Sequence, residues 1–523
     1  MPATPPPTAQ IAALLNQAEA AWASGQLDQC EQCSRDVLAL WPESAMAWNL
    51  LGMVASRHGQ LEHAAQLMVQ AARLDATHAQ IRTNLGIVLS QLGEYAQATQ
   101  VLTQALEIAP NHESAWMLLG QICEIQGQFV EQAACLRQAH QQCPQSVNLQ
   151  LMLSDALNTL GEHAEAARLA EDITRRYPQL ADGWSCLGCA LEKLARLDDA
   201  RQALQRAIQL KPDNGQLHVN LAHLDLLCGQ FESGWREYEW RFSCEQMAPL
   251  PNLAAPRWQG EPLRGKTVLL IPEQGHGDTL QFCRYAQLLA MRGAQVWLTV
   301  VPALWPVMAQ GVPGVHRVLL PEQVMAEAHA VDYWAPLMSL PHLADSCDDP
   351  LGYLTPYLRP DPSRLPVWAE RLAALPPGRK IGLIWSGNPL NGNNPTRSLP
   401  HAELAALAAV SHVQWISLQM GREGQRPPPA GLHWQAWGSE LRDFADTAAI
   451  LSQLDLLITT DTGPAHLAGA LGVPSWILVQ QVPDWRWGLS GEQCDSYPSL
   501  RIFRQARQGE WGPVVQQVVT ALG

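Results

Sequence analysis

The segment LITTDTGPAHLAGALG, residues 457–472, leaves an apolar run, stops at Asp461-Thr462-Gly463-Pro464, and resumes at once as a small-residue helix carrying His466. A short apolar run bounded by a turn reads as a buried strand. Pro464 suits a first helical turn. Ala465, Ala468, Gly469 and Ala470 let such a helix pack tightly on a sheet. Its N-terminus offers free amides and the positive end of a dipole, which favour a phosphate, and His466 in the first turn could add a donor. The same residues also read as an ordinary capped helix whose histidine is merely satisfied. The surrounding sequence decides between the two.

Outward from that segment, short β-rich runs alternate with helical stretches. The first set is 266–272, 295–300, 316–320 and 333–339, with a helix over 278–292. A proline-rich interval, 351–377, separates it from a second set at 380–387, 413–419, 432–437, 455–461 and 475–480. Alternation of this kind predicts parallel α/β sheets, and two consecutive sets predict two Rossmann-like lobes, 266–375 and 376–523. Ligands of such sheets bind beyond the carboxyl ends of the strands.

The first half is a repeat. Residues 52, 86, 120, 154, 188 and 222 are spaced by 34 and are Gly, Gly, Gly, Ser, Gly and Ala. Gly25, Gly59, Gly93, Gly127, Gly161, Ala195 and Gly229 form a second series at the same spacing. Pro42, Pro110, Pro144, Pro178 and Pro212 form a third, and Trp48, Trp116 and Trp184 precede the Leu-Gly sites. Each period reads as two amphipathic helices, with a glycine turning the chain between them and a proline ending the second. Period, Trp, Leu-Gly, Ala and Pro together resemble the tetratricopeptide repeat. The expected array covers 8–245. It offers a groove for a protein or peptide partner, and a stiff spacer is the other reading. Cys30/Cys33 and Cys186/Cys189 are CxxC pairs, but both fall within repeat helices, so no zinc site is expected.

The last repeat ends in Trp235, Tyr238, Trp240 and Phe242, an aromatic load expected to dock the array on the α/β region, to cap it, or both. A Pro- and Gly-rich linker, 246–265, joins the two regions. The net charge of −15 and a pI near 5.5 argue against a binder of nucleic-acid backbones. MPATPPPTAQ lacks a signal-peptide pattern, no run is long enough to span a bilayer, and the 12 cysteines are scattered. A reduced, cytoplasmic protein is expected.

Two further stretches carry chemistry. In IPEQGHGDTLQF, 271–282, Gly275 and Gly277 flank His276, and Asp278 opens a helix at the end of the first strand. The glycines allow close backbone approach to a ligand, while Asp278 also reads as a plain helix cap. In WSGNPLNGNNPTRSLP, 385–400, a polar loop holds one cation, Arg397. Beside a helix N-terminus that invites anions, Arg397 is a candidate phosphate clamp. Trp485, Arg486 and Trp487 read equally as cleft lining or as packing.

The three segments EQGHGDTLQFCRY, WSGNP…RSLP and TDTGPAHLAGALG together resemble the family-9, heptosyltransferase-like glycosyltransferases. The resemblance is closer to bacterial proteins that join such a domain to tetratricopeptide repeats. It runs from Lys266 to the end and extends to GWREYEWR, DFADTAA (443–449) and VPDWRW (482–487). It implies a multidomain chain: an α-solenoid followed by a GT-B fold of two Rossmann-like lobes. It implies a metal-independent, inverting glycosyltransferase that uses a nucleotide-sugar as co-substrate, with no cofactor. Asp278 would be the base that deprotonates the acceptor hydroxyl. Arg397, Gly387, Asn388, Asp461, Thr462, Gly463 and His466 would hold the donor, while Gly275, His276, Gly277, Trp485 and Arg486 would line the cleft. Relatives commonly carry a His and an Asp in the WSGNP loop, where this chain has Asn391 and Asn394. Asp446 reads as a helix cap before a donor residue. The expected acceptor is a protein recruited by the repeats. The alternatives are a glycan acceptor, and a non-catalytic scaffold with a degenerate transferase domain.

Overall fold

The computed structural model describes residues 9–244, 251–347, 351 and 354–523. Residues 246–250 of the expected linker, 352–353 of the proline-rich interval and the N-terminal stretch before residue 9 lie outside it. Helices follow one another in pairs from Ala9–Ala23 to Phe231–Tyr238. Each turn between paired helices holds a residue with positive φ at the 34-residue spacing, from Gly25 (75°) to Gly229 (73°). Ala195 takes the same left-handed conformation at 58°, which costs a residue with a Cβ about 1–2 kcal/mol.

The series that contains Gly52, Gly86 and Gly188 is a close-packing series. A Cβ on Gly52 would meet Met68 at 2.6 Å, one on Gly86 would meet Leu102 at 2.7 Å, and one on Gly188 would meet Leu204 at 2.6 Å. The residue struck is 16 positions later each time, on the paired helix. The proline and tryptophan series are linked by a hydrogen bond. Trp48 Nε1 donates to the Pro42 carbonyl (2.9 Å), Trp116 to Pro110 (2.8 Å) and Trp184 to Pro178 (3.0 Å). Where the tryptophan is replaced, Gln150 Nε2 donates to Pro144 (2.6 Å) and His218 Nε2 bonds to Pro212 (2.8 Å). The carbonyl of the helix-ending proline is thereby satisfied by the next helix. Cys30 and Cys33 pack with Ala18, Ala21 and Leu50 in a repeat core.

By compactness the chain divides into residues 1–160 with 168–173, and residues 161–167 with 174–523. The second unit therefore contains the last repeats as well as all the strands. Its strands are β1 (Thr267–Ile271), β2 (Gln295–Thr299), β3 (Val315–Leu319), β4 (Tyr333–Pro336), β5 (Arg379–Ile384), β6 (Val413–Ser417), β7 (Trp434–Ala436), β8 (Leu456–Thr460), β9 (Ser475–Val479) and β10 (Leu500–Arg504). They form two parallel sheets, ordered β3-β2-β1-β4 and β10-β9-β8-β5-β6-β7. All nine strands expected from the sequence are present. β10 was not expected: Arg501 and Arg504 interrupt its apolar residues, and β9 is its one neighbour among the named strands, with a single bridge from Arg501 to Gln493 on its outer side. β8 is buried along its whole length, as a central parallel strand covered on both faces must be.

The expected helix over 278–292 is two helices, His276–Phe282 and Tyr285–Met291. They part at Arg284, which is 2% exposed and turns inward. It donates to the Tyr357 hydroxyl (3.0 Å) and the Ser496 carbonyl (2.8 Å). The expected strand 333–339 ends at Pro336, and Leu337–Ser339 is a single helical turn.

The aromatic end of the last repeat does both things expected of it. Trp235 packs edge-on against Phe282 (5.6 Å) and Trp485 (5.2 Å), while Trp240 stacks on His218 of its own repeat (4.1 Å). Arg241 is buried and bonds Glu273 (2.8 Å) and Ser339 (2.6 Å). Glu273 also accepts from the Met338 amide at 3.0 Å, so this ion pair holds the loop after β1 in place.

Candidate functional site

A cleft of about 1250 Å³ lies in the second unit. Its lining includes the loops that leave the carboxyl ends of β1, β5, β6, β8 and β9. That is where parallel sheets place their ligands, because each strand hands over to a helix whose N-terminus faces the same edge.

After β1, Gly275 precedes the His276–Phe282 helix, and Asp278 sits in its first turn. One carboxylate oxygen of Asp278 accepts from the Gly275 amide (2.9 Å), and the other accepts from Arg486 Nη2 (2.6 Å). The helix-cap reading and the cleft reading are thus both realised. Arg486 also donates to Gln281 (2.6 Å) and to Asp484 (2.9 Å). Burial works against its charge, but Asp484 and Asp278 more than offset this and hold the guanidinium protonated well above its ordinary range. Asp484 is likewise disfavoured by burial and held ionised by Arg486. Arg486 and Trp485 line the cleft, whereas Trp487 is buried. Trp485 also carries packing, so both readings of that pair of tryptophans are present.

After β8, Thr462 precedes the Gly463–Leu471 helix and no side chain caps it. The Thr462 hydroxyl turns instead to Thr459 (3.0 Å). His466 is buried: it stacks on Trp487 (5.4 Å), and its Nδ1 lies 3.1 Å from the Tyr497 hydroxyl. Burial, and then the field of Arg486, lower its pKa to about 3. It is therefore a neutral ring, able to donate one hydrogen bond but not to supply charge. Asp461 goes the other way: burial and the neighbouring Asp484 raise its pKa to about 6, against the pull of Arg397 and Arg486.

After β5, the loop 385–398 is tied down by amides. Gln419 Oε1 accepts from the amides of Trp385 (3.0 Å) and Ser386 (2.9 Å). Asn394 Oδ1 accepts from the Gly387 amide (2.9 Å), and Asn391 Oδ1 accepts from the Asn393 amide (2.9 Å). Asn388 caps the same loop through the Leu390 amide at 3.1 Å. Asn391 and Asn394 thus shape the loop. Arg397 differs. Among the described residues its buried Nε has no hydrogen-bond partner, and its nearest carboxylate, Asp461, is 3.9 Å away. Its guanidinium lies against the Cα of Gly387, where a Cβ would come within 2.7 Å of Nη2. A half-buried guanidinium that lines the cleft and whose Nε is unpaired is suited to an incoming anion.

The structure brings Asp278, His276, Gly275, Gly277, Gly387, Asn388, Arg397, Asp461, Thr462, Gly463, His466, Trp485 and Arg486 to one cleft. Asp446 is not among its lining residues. It accepts from Arg364 (2.8 Å) and Arg442 (2.8 Å), and those bonds outweigh burial to lower its pKa to about 2. Sequence reasoning missed Gln419 and Tyr497, which act through tertiary contacts, and Asp484, which lies in VPDWRW, caps the turn Trp485–Trp487 and pairs with Arg486. It also missed Lys193 and His223 of the repeats, which line the same cleft.

Family profiles described as tetratricopeptide repeat match residues 15–79, 55–122 and 181–214. The N-terminal region thus carries tetratricopeptide repeats. Protein FlbA of Caulobacter vibrioides (strain ATCC 19089 / CIP 103742 / CB 15) is 30% identical over 344 residues, which is 61% of this chain and 57% of FlbA. The chain thus spans little more than half the length of this curated relative. Among solved structures, similarity extends to YrrB, described as a TPR protein with an unusual peptide-binding site. It is 20% identical over 35% of this chain and 94% of that one, with a TM-score of 0.31. A tetratricopeptide repeat protein from Parabacteroides merdae ATCC 43184 is 15% identical over 45% and 93%, with a TM-score of 0.37. No helix among the described residues is long and apolar enough to cross a membrane.

Proposed function

We propose that this chain is a glycosyltransferase of GT-B type, its two parallel sheets forming the two lobes, and that it transfers a sugar from a nucleotide-sugar to a hydroxyl of a protein acceptor. The observation that carries the reading is the pairing of Arg397, whose buried Nε has no partner, with the uncapped helix N-terminus at Thr462–Gly463. Both line the cleft that holds Asp278. The donor diphosphate would lie between Arg397 and that helix, with His466 Nε2 as a neutral donor.

In the transfer, the acceptor oxygen forms a bond to the anomeric carbon and its proton passes to the Asp278 carboxylate. The bond from the anomeric carbon to the phosphate oxygen breaks, and the diphosphate leaves with the electron pair. Arg397 and the Gly463 amide stabilise the charge that develops there. Asp278 must first exchange its bond with Arg486 for one with the acceptor.

A second reading, a non-catalytic scaffold that binds a nucleotide, is favoured by the engagement of both Asp278 oxygens. A thermal-shift screen of the full chain against nucleoside diphosphates and nucleotide-sugars, with Arg397→Ala and His466→Ala as controls, tests both. The transferase reading expects a shift that the controls abolish, followed by release of nucleotide from the sugar donor. A shift without release leaves a scaffold that binds nucleotide, and no shift with any donor overturns the transferase reading and leaves a scaffold with a degenerate transferase domain.

A further inference from the structure

The cleft has one wall for which the donor reading has no use. It is made by two repeat helices, Ala181–Lys193 and Gly215–Leu227, through Cys189, Glu192, Lys193, Asn220 and His223. Cys189 and His223 are one repeat apart and occupy the same site in successive repeats. Asn220 Nδ2 joins the two helices by donating to Ser185 Oγ at 3.0 Å. Lys193 Nζ lies 2.7 Å from Glu192, with the lysine side chain 31% exposed and the glutamate 11%. Burial opposes the ammonium charge, but Glu192 outweighs it, and Asp484 acts in the same sense. Lys193 therefore shares the field of the Asp484–Arg486–Asp278 chain.

Helices of neighbouring repeats pack about 8–10 Å apart, a distance that an extended chain covers in about three residues. Polar groups spread over two helices at that separation, Glu192 and Lys193 on one and Asn220 and His223 on the other, suit a peptide main chain, which offers donors and acceptors at every step. A single sugar hydroxyl needs no such span. We propose that these two helices form the acceptor side of the cleft, where Lys193, Asn220 and His223 position an extended peptide so that its serine or threonine hydroxyl meets Asp278. This rests on the transferase reading and names its acceptor class.

The full chain is tested for binding to an array of peptides of about 15 residues, each with one central serine or threonine and varied flanks, long enough to cross two repeats. Wild type is expected to bind a subset. Lys193→Glu and Asn220→Ala, each with an unchanged melting temperature, are expected to bind that subset about 10-fold more weakly, the loss typical of a contact that matters. Binding within about twofold of wild type in both variants would overturn the proposal, and so would a wild type that binds no peptide. Titration of the same preparations with nucleoside diphosphates reads the donor site separately. Peptide binding that survives without nucleotide binding refutes the transferase reading, and nucleotide binding without peptide binding refutes only the acceptor wall.

Discussion

The turn after β1 and the turn after β8 have the same plan and opposite chemistry. Each passes from a buried parallel strand to a helix whose first turn faces one cleft. In the first, the helix brings its own anion: Asp278 caps the Gly275 amide and pairs with Arg486. In the second, no side chain caps the helix, Pro464 opens it, and the only titratable group in its first turn is a neutral histidine. A helix N-terminus attracts negative charge whether that charge comes from the chain or from a ligand. The first turn has supplied its charge from within and the second has left the place open. The comparison teaches that two turns on one plan differ in whether a carboxylate caps the helix that follows: Asp278 does so after β1, and Asp461 does not after β8.

The largest expected effect comes from removing that difference at the first turn. Asp278→Asn keeps an oxygen for the Gly275 amide, so the helix should survive. Turnover of a nucleotide-sugar should fall by about 10³-fold, within the range for loss of a general base, while nucleotide affinity should hold. Equal losses of both would mean that Asp278 serves the donor. At the second turn, Arg397→Ala should weaken nucleoside diphosphate binding by about 10- to 100-fold, as loss of charge-assisted bonds implies. Calorimetry would read this directly, and an unchanged affinity would put the phosphate elsewhere.

The two turns also touch. A Cβ on Gly277 would come within 2.8 Å of the His466 ring. Gly277→Ala should therefore lower stability by about 1–3 kcal/mol, the usual cost of overpacking, as read by denaturant unfolding. A neutral result would mean that the two helices can separate.

The smallest effect concerns protons. Because the pKa of Asp461 is raised to about 6, its charge is a penalty on the fold, complete above pH 6 and gone below the unfolded value near 4. Asp461→Asn should therefore raise the melting temperature at pH 7.5 and leave it unchanged near pH 4. It should also strengthen nucleotide binding at pH 7.5, with the advantage shrinking as pH falls through 6. An advantage that grows on acidification would reverse the assignment.

Much of this was legible in the order of residues. The 34-residue spacing marked the helix pairs, because a turn that needs a positive φ and a crossing that needs a missing Cβ both leave glycine at fixed intervals. Nine of the ten strands were legible from apolar runs between turns, and β10 was hidden by its two arginines. Candidate site residues were legible wherever a strand end met a glycine turn, as at Gly275–Asp278 and Thr462–His466. Arg284 was not, since nothing in QFCRY says that its arginine turns inward and splits a helix.

The sequence by itself determined the repeat period, the alternation of strand and helix, and the identity of the two turns, since these follow from local periodicity and backbone preference. Only the tertiary structure decided the state of each group. It paired Asp278 with Arg486, left Arg397 Nε without a partner, made His466 neutral, and brought Lys193 and His223 of the repeats to the cleft. Charge state and partnership depend on burial and on neighbours hundreds of residues away, and no local pattern encodes those.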